Sequence, residues 1–255
     1  MSFCSEMIRN KKKKLDEGGG HGDSDFLTLI LQDQKQNKGT PDEFTDEEIL
    51  QKFITFFFAG MDTTGHMIAM ATYFLAKQSE EVQRAVMKEA NELSQAGINI
   101  TSEMLNKCEI IHAFLKESLR VASPAMFLLP REVIEGYYIE DLYLPKGALV
   151  NTSFVTNNYN PELYRDPYEF NMNRWIQGHP DFASEAHKNP YYFTPFSAGS
   201  INCIGQHLVI IEGKIIWNIF LSTYNFTIPA GYEMHYKLGS AYEPRETLYL
   251  NIEKK

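Results

Sequence analysis

From residue 45 onward a polar run, Thr45-Asp-Glu-Glu48, gives way to a long apolar stretch, Phe53 to Leu75, interrupted by Asp62, Thr63, Thr64 and His66. Thr45 and Glu48 have the spacing of a capping box, and the pattern predicts one helix from there to about Lys77. At 1.5 Å per residue it would be on the order of 45 Å long. Residues 79–96 mix charged and apolar positions at helical spacing and predict a charged amphipathic helix. Thr101 is placed to cap a further helix that passes through Met104, Leu105, Ile110, Ile111 and Phe114 to Glu117-Ser-Leu-Arg120 and stops near Pro124. Beyond it the texture becomes β-like: Phe127 to Leu129, Tyr137 to Ile139 and Ala148 to Val150 read as short strands, with a turn at Pro145-Lys-Gly147. Residues 156–200 are loop-rich, residues 205–221 predict a helix, and Tyr249 to Ile252 a final strand. Residues 1–40 open with a polar lead rich in lysine and glycine, expected to be mobile to residue 25, and carry one apolar patch, Phe26 to Leu31. No internal repeat is evident. The whole reads as a mainly α fold with a small β portion.

Composition narrows the class. The 255 residues are 44% hydrophobic and 22% charged, the balance of a globular chain with a sizeable core. Lys plus Arg number 24 against 33 Asp plus Glu, a net charge of −9, which argues against a nucleic-acid partner. The basic run Lys11 to Lys14 reads as a solvated stretch. Three cysteines at long separations, Cys4, Cys108 and Cys203, argue for free thiols rather than a disulfide framework. The Phe53 to Leu75 window is long enough to span a membrane, yet an ionised Asp62 at its centre would cost ~2.5–3.5 kcal/mol there. A buried helix fits better.

The segment with the most chemistry is Phe196-Ser-Ala-Gly199-Ser-Ile-Asn-Cys203-Ile-Gly205, which places one cysteine in a glycine-punctuated loop just before a helix. Free backbone N–H groups and the positive end of the helix dipole stabilise a thiolate at that position. Gly199 and Gly205 supply backbone freedom and lack a Cβ, which matters if a flat, bulky group lies against the loop. The same cysteine also reads as core filling, the usual role of a lone Cys beside an apolar helix. It reads, too, as a nucleophile with His207 as its base, the two sharing a helical face if the helix begins early. Without a Cys-x-x-Cys or four ligands, it is not a structural zinc site.

Two further clusters stand out. In Ala59-Gly60-Met61-Asp62-Thr63-Thr64, an interior glycine and adjacent threonines predict a local distortion of the helix, with an acid beside an alcohol as a proton path. The alternative is a buried helix whose threonines satisfy themselves. Glu117 and Arg120 stand three apart on a helix, most often a surface ion pair. Arg131 precedes a β segment, where an exposed strand-end arginine is an equal reading.

The cysteine segment resembles the ligand loop of the cytochrome P-450 (heme-thiolate monooxygenase) family, in which Phe, Gly, Cys and Gly recur at these intervals. The resemblance implies that Cys203 is the axial ligand of a heme iron, with Phe196, Gly199 and Gly205 against the heme. The 59–64 segment is similar to the family's oxygen-binding helix, so Ala59 and Gly60 would border the oxygen pocket, Asp62 admit protons and Thr63 order the water that delivers them. Glu117 and Arg120 match its Glu-x-x-Arg helix, completed by Arg174 into a buried, structural charge network, and Arg131 falls where a heme-propionate arginine stands. Two departures are visible: Ile201 occupies a position where a basic residue meets the other propionate, and Met172 and Asn173 replace a proline and an acid. All motifs belong to the family's C-terminal half, in its order, over residues 26 to about 255. The expectation is therefore a single partial domain, 1–255, truncated before the half that carries the membrane anchor and much of the substrate pocket. The activity implied is insertion of one oxygen atom of O2 into a hydrophobic substrate, with electrons from NADPH through a reductase docking on the cysteine side. Full-length relatives sit at the endoplasmic reticulum membrane; this chain, with no signal or anchor read in it, is expected to be cytosolic. The competing classes are a heme-free, non-catalytic remnant and a hydrolase built on Cys203 and His207.

Overall fold

In the computed structural model, which describes residues 3–20, 22–97, 99–127, 130–153, 155–238 and 242–255, the Thr45 capping box forms as its spacing predicts. The Thr45 N–H donates to Glu48 Oε2 at 2.8 Å, and the Glu48 N–H donates back to Thr45 Oγ1 at 3.2 Å. The chain divides into two compact units, Met1–Asp62 and Thr63–Lys255.

The first unit holds helices α1 (Phe3–Asp16) and α2 (Phe26–Gln36) and the start of α3 (Asp46–Lys77). α1 lies in the lead expected to be mobile. Its buried residues Cys4, Ile8 and Leu15 share one helical face, which a lysine-rich composition masks. Lys11 reaches Asp23 at 2.9 Å and Asp25 at 2.7 Å, and Asp25 caps α2 by accepting from the Thr28 N–H. Ile8, Leu15, Leu27, Ile30, Leu31 and Ile49 form this unit's core.

The second unit continues with α4 (Glu80–Ser94, capped by Ser79), α5 (Ser102–Lys107) and α6 (Glu109–Val121). The single helix expected from Thr101 to Arg120 is thus two. The backbone leaves the helical region at Cys108, and Glu89 of α4 accepts hydrogen bonds from the N–H groups of Ile110 and Ile111, so a side chain from another helix caps α6. Strands β1 (Arg131–Glu132), β2 (Tyr137–Ile139), β3 (Leu142–Leu144) and β4 (Leu149–Val150) follow, then the short helices α7 (Val155–Asn158) and α8 (Ser184–His187), the long α9 (Gln206–Thr223), and β5 (Tyr224–Thr227), β6 (Tyr236–Leu238), β7 (Tyr242–Pro244) and β8 (Asn251–Lys254). All pairings are antiparallel: β1 with β4, β2 with β3, β5 with β8, β6 with β7. The final strand sits two residues beyond the expected Tyr249–Ile252, because its register is set by β5, with Phe226 opposite Ile252. Of the expected run 127–129, Phe127 bridges to Ser153, while Leu128 and Leu129 lie outside the described residues.

The main core gathers Met67, Ala71 and Leu75 of α3, Val86 and Ala90 of α4, Ile111, Phe114 and Leu115 of α6, and Val209, Trp217 and Leu221 of α9. Trp217 donates its indole N–H to Thr72 Oγ1 at 3.0 Å, which satisfies the one polar atom of a fully buried ring. α6 and α9 are fixed here, and both the charge cluster and the cysteine loop hang from them.

Candidate functional site

Two residues in the left-handed region shape the cysteine loop: Ser197 at φ 64° and Gly199 at φ 82°. They turn the chain through a single 3-10 turn, Gly199–Ile201, and the Cys203 N–H closes back onto the Phe196 carbonyl at 2.8 Å. Phe196 packs on the main core and anchors one end of the loop; α9 anchors the other. Cys203 itself is exposed, three residues ahead of the first residue of α9, whose N-cap is Gly205 with no side-chain cap. A Cβ on Gly205 would stand 3.8 Å from the Cys203 sulfur and meet nothing else within 4 Å, so the flank of the thiol is open. Around it Ile201, Ile204 and Leu208 are 67%, 81% and 59% exposed, an apolar surface beside the thiol.

His207 does not join Cys203. Because α9 begins at Gln206, Cys203 lies outside the helix and the shared face required of a Cys–His pair does not form. Among the described residues no hydrogen bond links the two.

Glu117, Arg120 and Arg174 come together in a fully buried cluster. Arg120 binds Glu117 with both Nε at 2.9 Å and Nη2 at 2.8 Å, a bidentate pair, and Arg174 Nε donates to Glu117 Oε1 at 3.3 Å. Two donors that the sequence did not point to complete the carboxylate's shell: Trp175 Nε1 to Oε2 at 2.9 Å and the Asn171 N–H to Oε1 at 2.8 Å. Both guanidinium groups also donate to backbone carbonyls. Arg120 takes those of Asn158, Pro167 and Glu169, and Arg174 those of Arg165, Asp166 and Glu169. Tyr164, whose phenol burial pushes up, lies 5.1 Å from the Arg120 guanidinium. The cluster ties α6 to the long 156–175 connection.

In α3 the helix runs unbroken through residues 59–64, without the distortion expected there. Threonine hydroxyls can bond back to a carbonyl while the i to i−4 ladder persists, as Thr72 does with Ile68 at 2.8 Å. A Cβ on Gly60 would meet nothing within 4 Å, so its side of the helix is open. Ala59 and Thr63 are exposed and Asp62 half-buried. Arg131 begins β1, exposed and opposite Val150.

A family model described as Cytochrome P-450 matches residues 1–246 of this sequence. The chain belongs to the cytochrome P-450 family. It is similar to a cytokinin hydroxylase of Arabidopsis thaliana, 33% identical over 231 residues, which are 90% of this chain and 41% of that protein. It is 32% identical over 221 residues to human Cytochrome P-450 4Z1, covering 84% of this chain and 41% of that protein. Human Cytochrome P-450 4X1 is 28% identical over 263 residues, 99% of this chain and 49% of that protein. The chain therefore spans between two fifths and half the length of these cytochrome P-450 relatives. Mainly α architecture with small antiparallel sheets accords with the family. No helix among the described residues is long and apolar enough to cross a membrane.

Proposed function

We propose that this chain supplies the cysteine-bearing part of a heme-thiolate monooxygenase, which inserts one oxygen atom of O2 into a hydrophobic organic substrate. The observation that carries the proposal is the loop 196–205: an exposed Cys203 thiol, held by a backbone turn rather than by core packing, with an open glycine flank and exposed Ile201, Ile204 and Leu208 around it. That surface fits a flat, apolar group carrying a metal at its centre. Heme, when bound, supplies the iron at which O2 is activated, and a thiolate ligand favours O–O cleavage.

The chain's own residues then have separate tasks. Cys203 would hold the iron of a bound heme through its sulfur, presented from the turn ahead of α9. Ile201, Ile204 and Leu208 exclude water from the covered face. The Arg131 guanidinium suits a propionate. Asp62 and Thr63, adjacent in α3, hold and pass a proton from carboxyl to hydroxyl and water, while Ala59 and Gly60 leave the helix surface low beside them. Glu117, Arg120 and Arg174 are structural. Electrons come from NADPH through a reductase that docks on the side of Cys203.

The test is the ferrous carbon-monoxide difference spectrum of the chain reconstituted with heme, beside Cys203→Ala. A red-shifted Soret band that the variant loses is the expected outcome; no such band, or one shared by the variant, refutes ligation by Cys203. One observation favours a second reading, a heme-free scaffold. Ile201 is apolar and exposed where a propionate would want a cation. A folded protein that takes up no heme would establish it.

A further inference from the structure

A cavity of about 380 Å³ opens between α6, the start of α9 and residues 190–202, so that Phe196, Gly199 and Asn202 of the cysteine loop line it while Cys203 and α3 do not. Phe193 and Phe196 give it apolar walls; His112, Lys116, Asn202 and Gln206 give it polar ones. Among the described residues Lys116 is the sole lysine or arginine of the lining, and no carboxylate lines it. No ion pair forms at Lys116 among the described residues; its Nζ stands 5.2 Å from the centre of the Trp175 ring. Burial lowers its pKa, so the ammonium is short of water and counter-ion together. One turn earlier on α6, His112 is held neutral, its pKa lowered to about 4 by burial and by the positive charges of Lys116 and Lys214. Its Nδ1 is buried without a hydrogen-bond partner. Such unmatched groups are rare in a folded interior.

An unpaired ammonium and two amides set in aromatic walls complement two acceptor oxygens on an apolar body. An inorganic anion would leave Phe193 and Phe196 uncovered, and a neutral ligand would leave Lys116 unpaired. We propose that this cavity binds a small organic carboxylate, its oxygens at Lys116 and the amides of Asn202 and Gln206 and its apolar body against Phe193 and Phe196. The volume falls within the range of small-ligand pockets, roughly 300–1,000 Å³.

Calorimetric titration of the full chain with phenylacetate, its neutral isostere phenylacetamide and inorganic phosphate tests this. Phenylacetate should bind saturably, and phenylacetamide and phosphate about tenfold more weakly or worse, the worth of one charge-assisted hydrogen bond. Lys116→Met should cost a similar factor, while Lys116→Arg, which keeps the charge, should restore most of it and so exclude misfolding as the cause. Absence of phenylacetate binding at 10-fold millimolar excess, or equal affinity for acid and amide, or indifference to Lys116→Met, overturns the proposal. Hemin supplies the remaining arm, since its propionates share the carboxylate chemistry. Undiminished phenylacetate binding to the hemin-loaded chain supports a separate site, whereas competition overturns it and assigns the cavity to heme without touching the ligand role of Cys203.

Discussion

Glu117 carries one negative charge between two guanidiniums with no water to share the work. Removing it leaves two buried cations facing each other, and Glu117→Ala should destabilise the chain by ~3–5 kcal/mol or prevent soluble folding. Urea denaturation at pH 7 decides the matter; a well-folded variant within 1 kcal/mol of the parent, a loss of the surface-pair order, would contradict it. The pairing of Glu117 with Arg120 was legible in their spacing; that spacing equally describes a surface pair, and burial with Arg174 was expected only from the family resemblance. Trp175, the Asn171 N–H and the carbonyls of residues 158–169 were invisible for a different reason: they come from an aperiodic connection whose path no local pattern encodes. At the cysteine loop the identities of Phe196, Gly199, Cys203 and Gly205 were readable, whereas the left-handed Ser197 was not, because serine carries no conformational signature of that kind.

Elements are decided by neighbours as much as by their own sequence. The expected 101–120 helix breaks at Cys108 because Glu89, on a different helix, offers its carboxylate to two amide groups. Glu89→Ala should cost about 1–2 kcal/mol, at the upper range for lost caps, read as a fall in the urea midpoint. At Gly213 of α9 an added Cβ would come within 2.8 Å of Met67 Cε and 3.3 Å of Leu115 Cδ1. Both atoms are ends of flexible side chains, and alanine regains helix propensity, so Gly213→Ala should be nearly neutral. Gly213→Val adds a branch that neither neighbour can clear, and a loss of ~1–3 kcal/mol is expected. Equal stabilities for the two variants would show that α9 shifts as a whole to relieve the contact. The long α3, α4 and α9 were legible because their periodicity is sustained over many turns; α1 was missed because three buried residues among fourteen give a weak signal.

For the whole molecule, one buried histidine makes stability depend on acid. His112 is neutral in the fold with a pKa of about 4, against ~6.5 in the unfolded chain. The unfolded state binds the extra proton between those values, so stability is complete above about pH 6.5 and falls as pH drops toward 4. Replacing His112 with Gln should flatten that slope in urea midpoints measured from pH 7 to 4.5; an unchanged slope would place the acid sensitivity elsewhere. The mainly α class and the order of motifs were legible along the entire chain, because helical periodicity and fixed spacings survive translation into structure. The cavity beneath α6 was not, since it is an arrangement of two stretches, 112–119 and 190–210, far apart in sequence. The buried charge cluster has a kinetic meaning as well. Its bonds from α6 to the 156–175 connection join residues separated by 38 to 58 positions, so each closes a long loop before any gain is realised. Such contacts belong late on the folding route, after the local turns of α6 have formed. We predict that weakening the cluster, as in Trp175→Phe, chiefly accelerates unfolding and leaves the refolding rate nearly unchanged, which chevron measurements would show as movement of one arm alone.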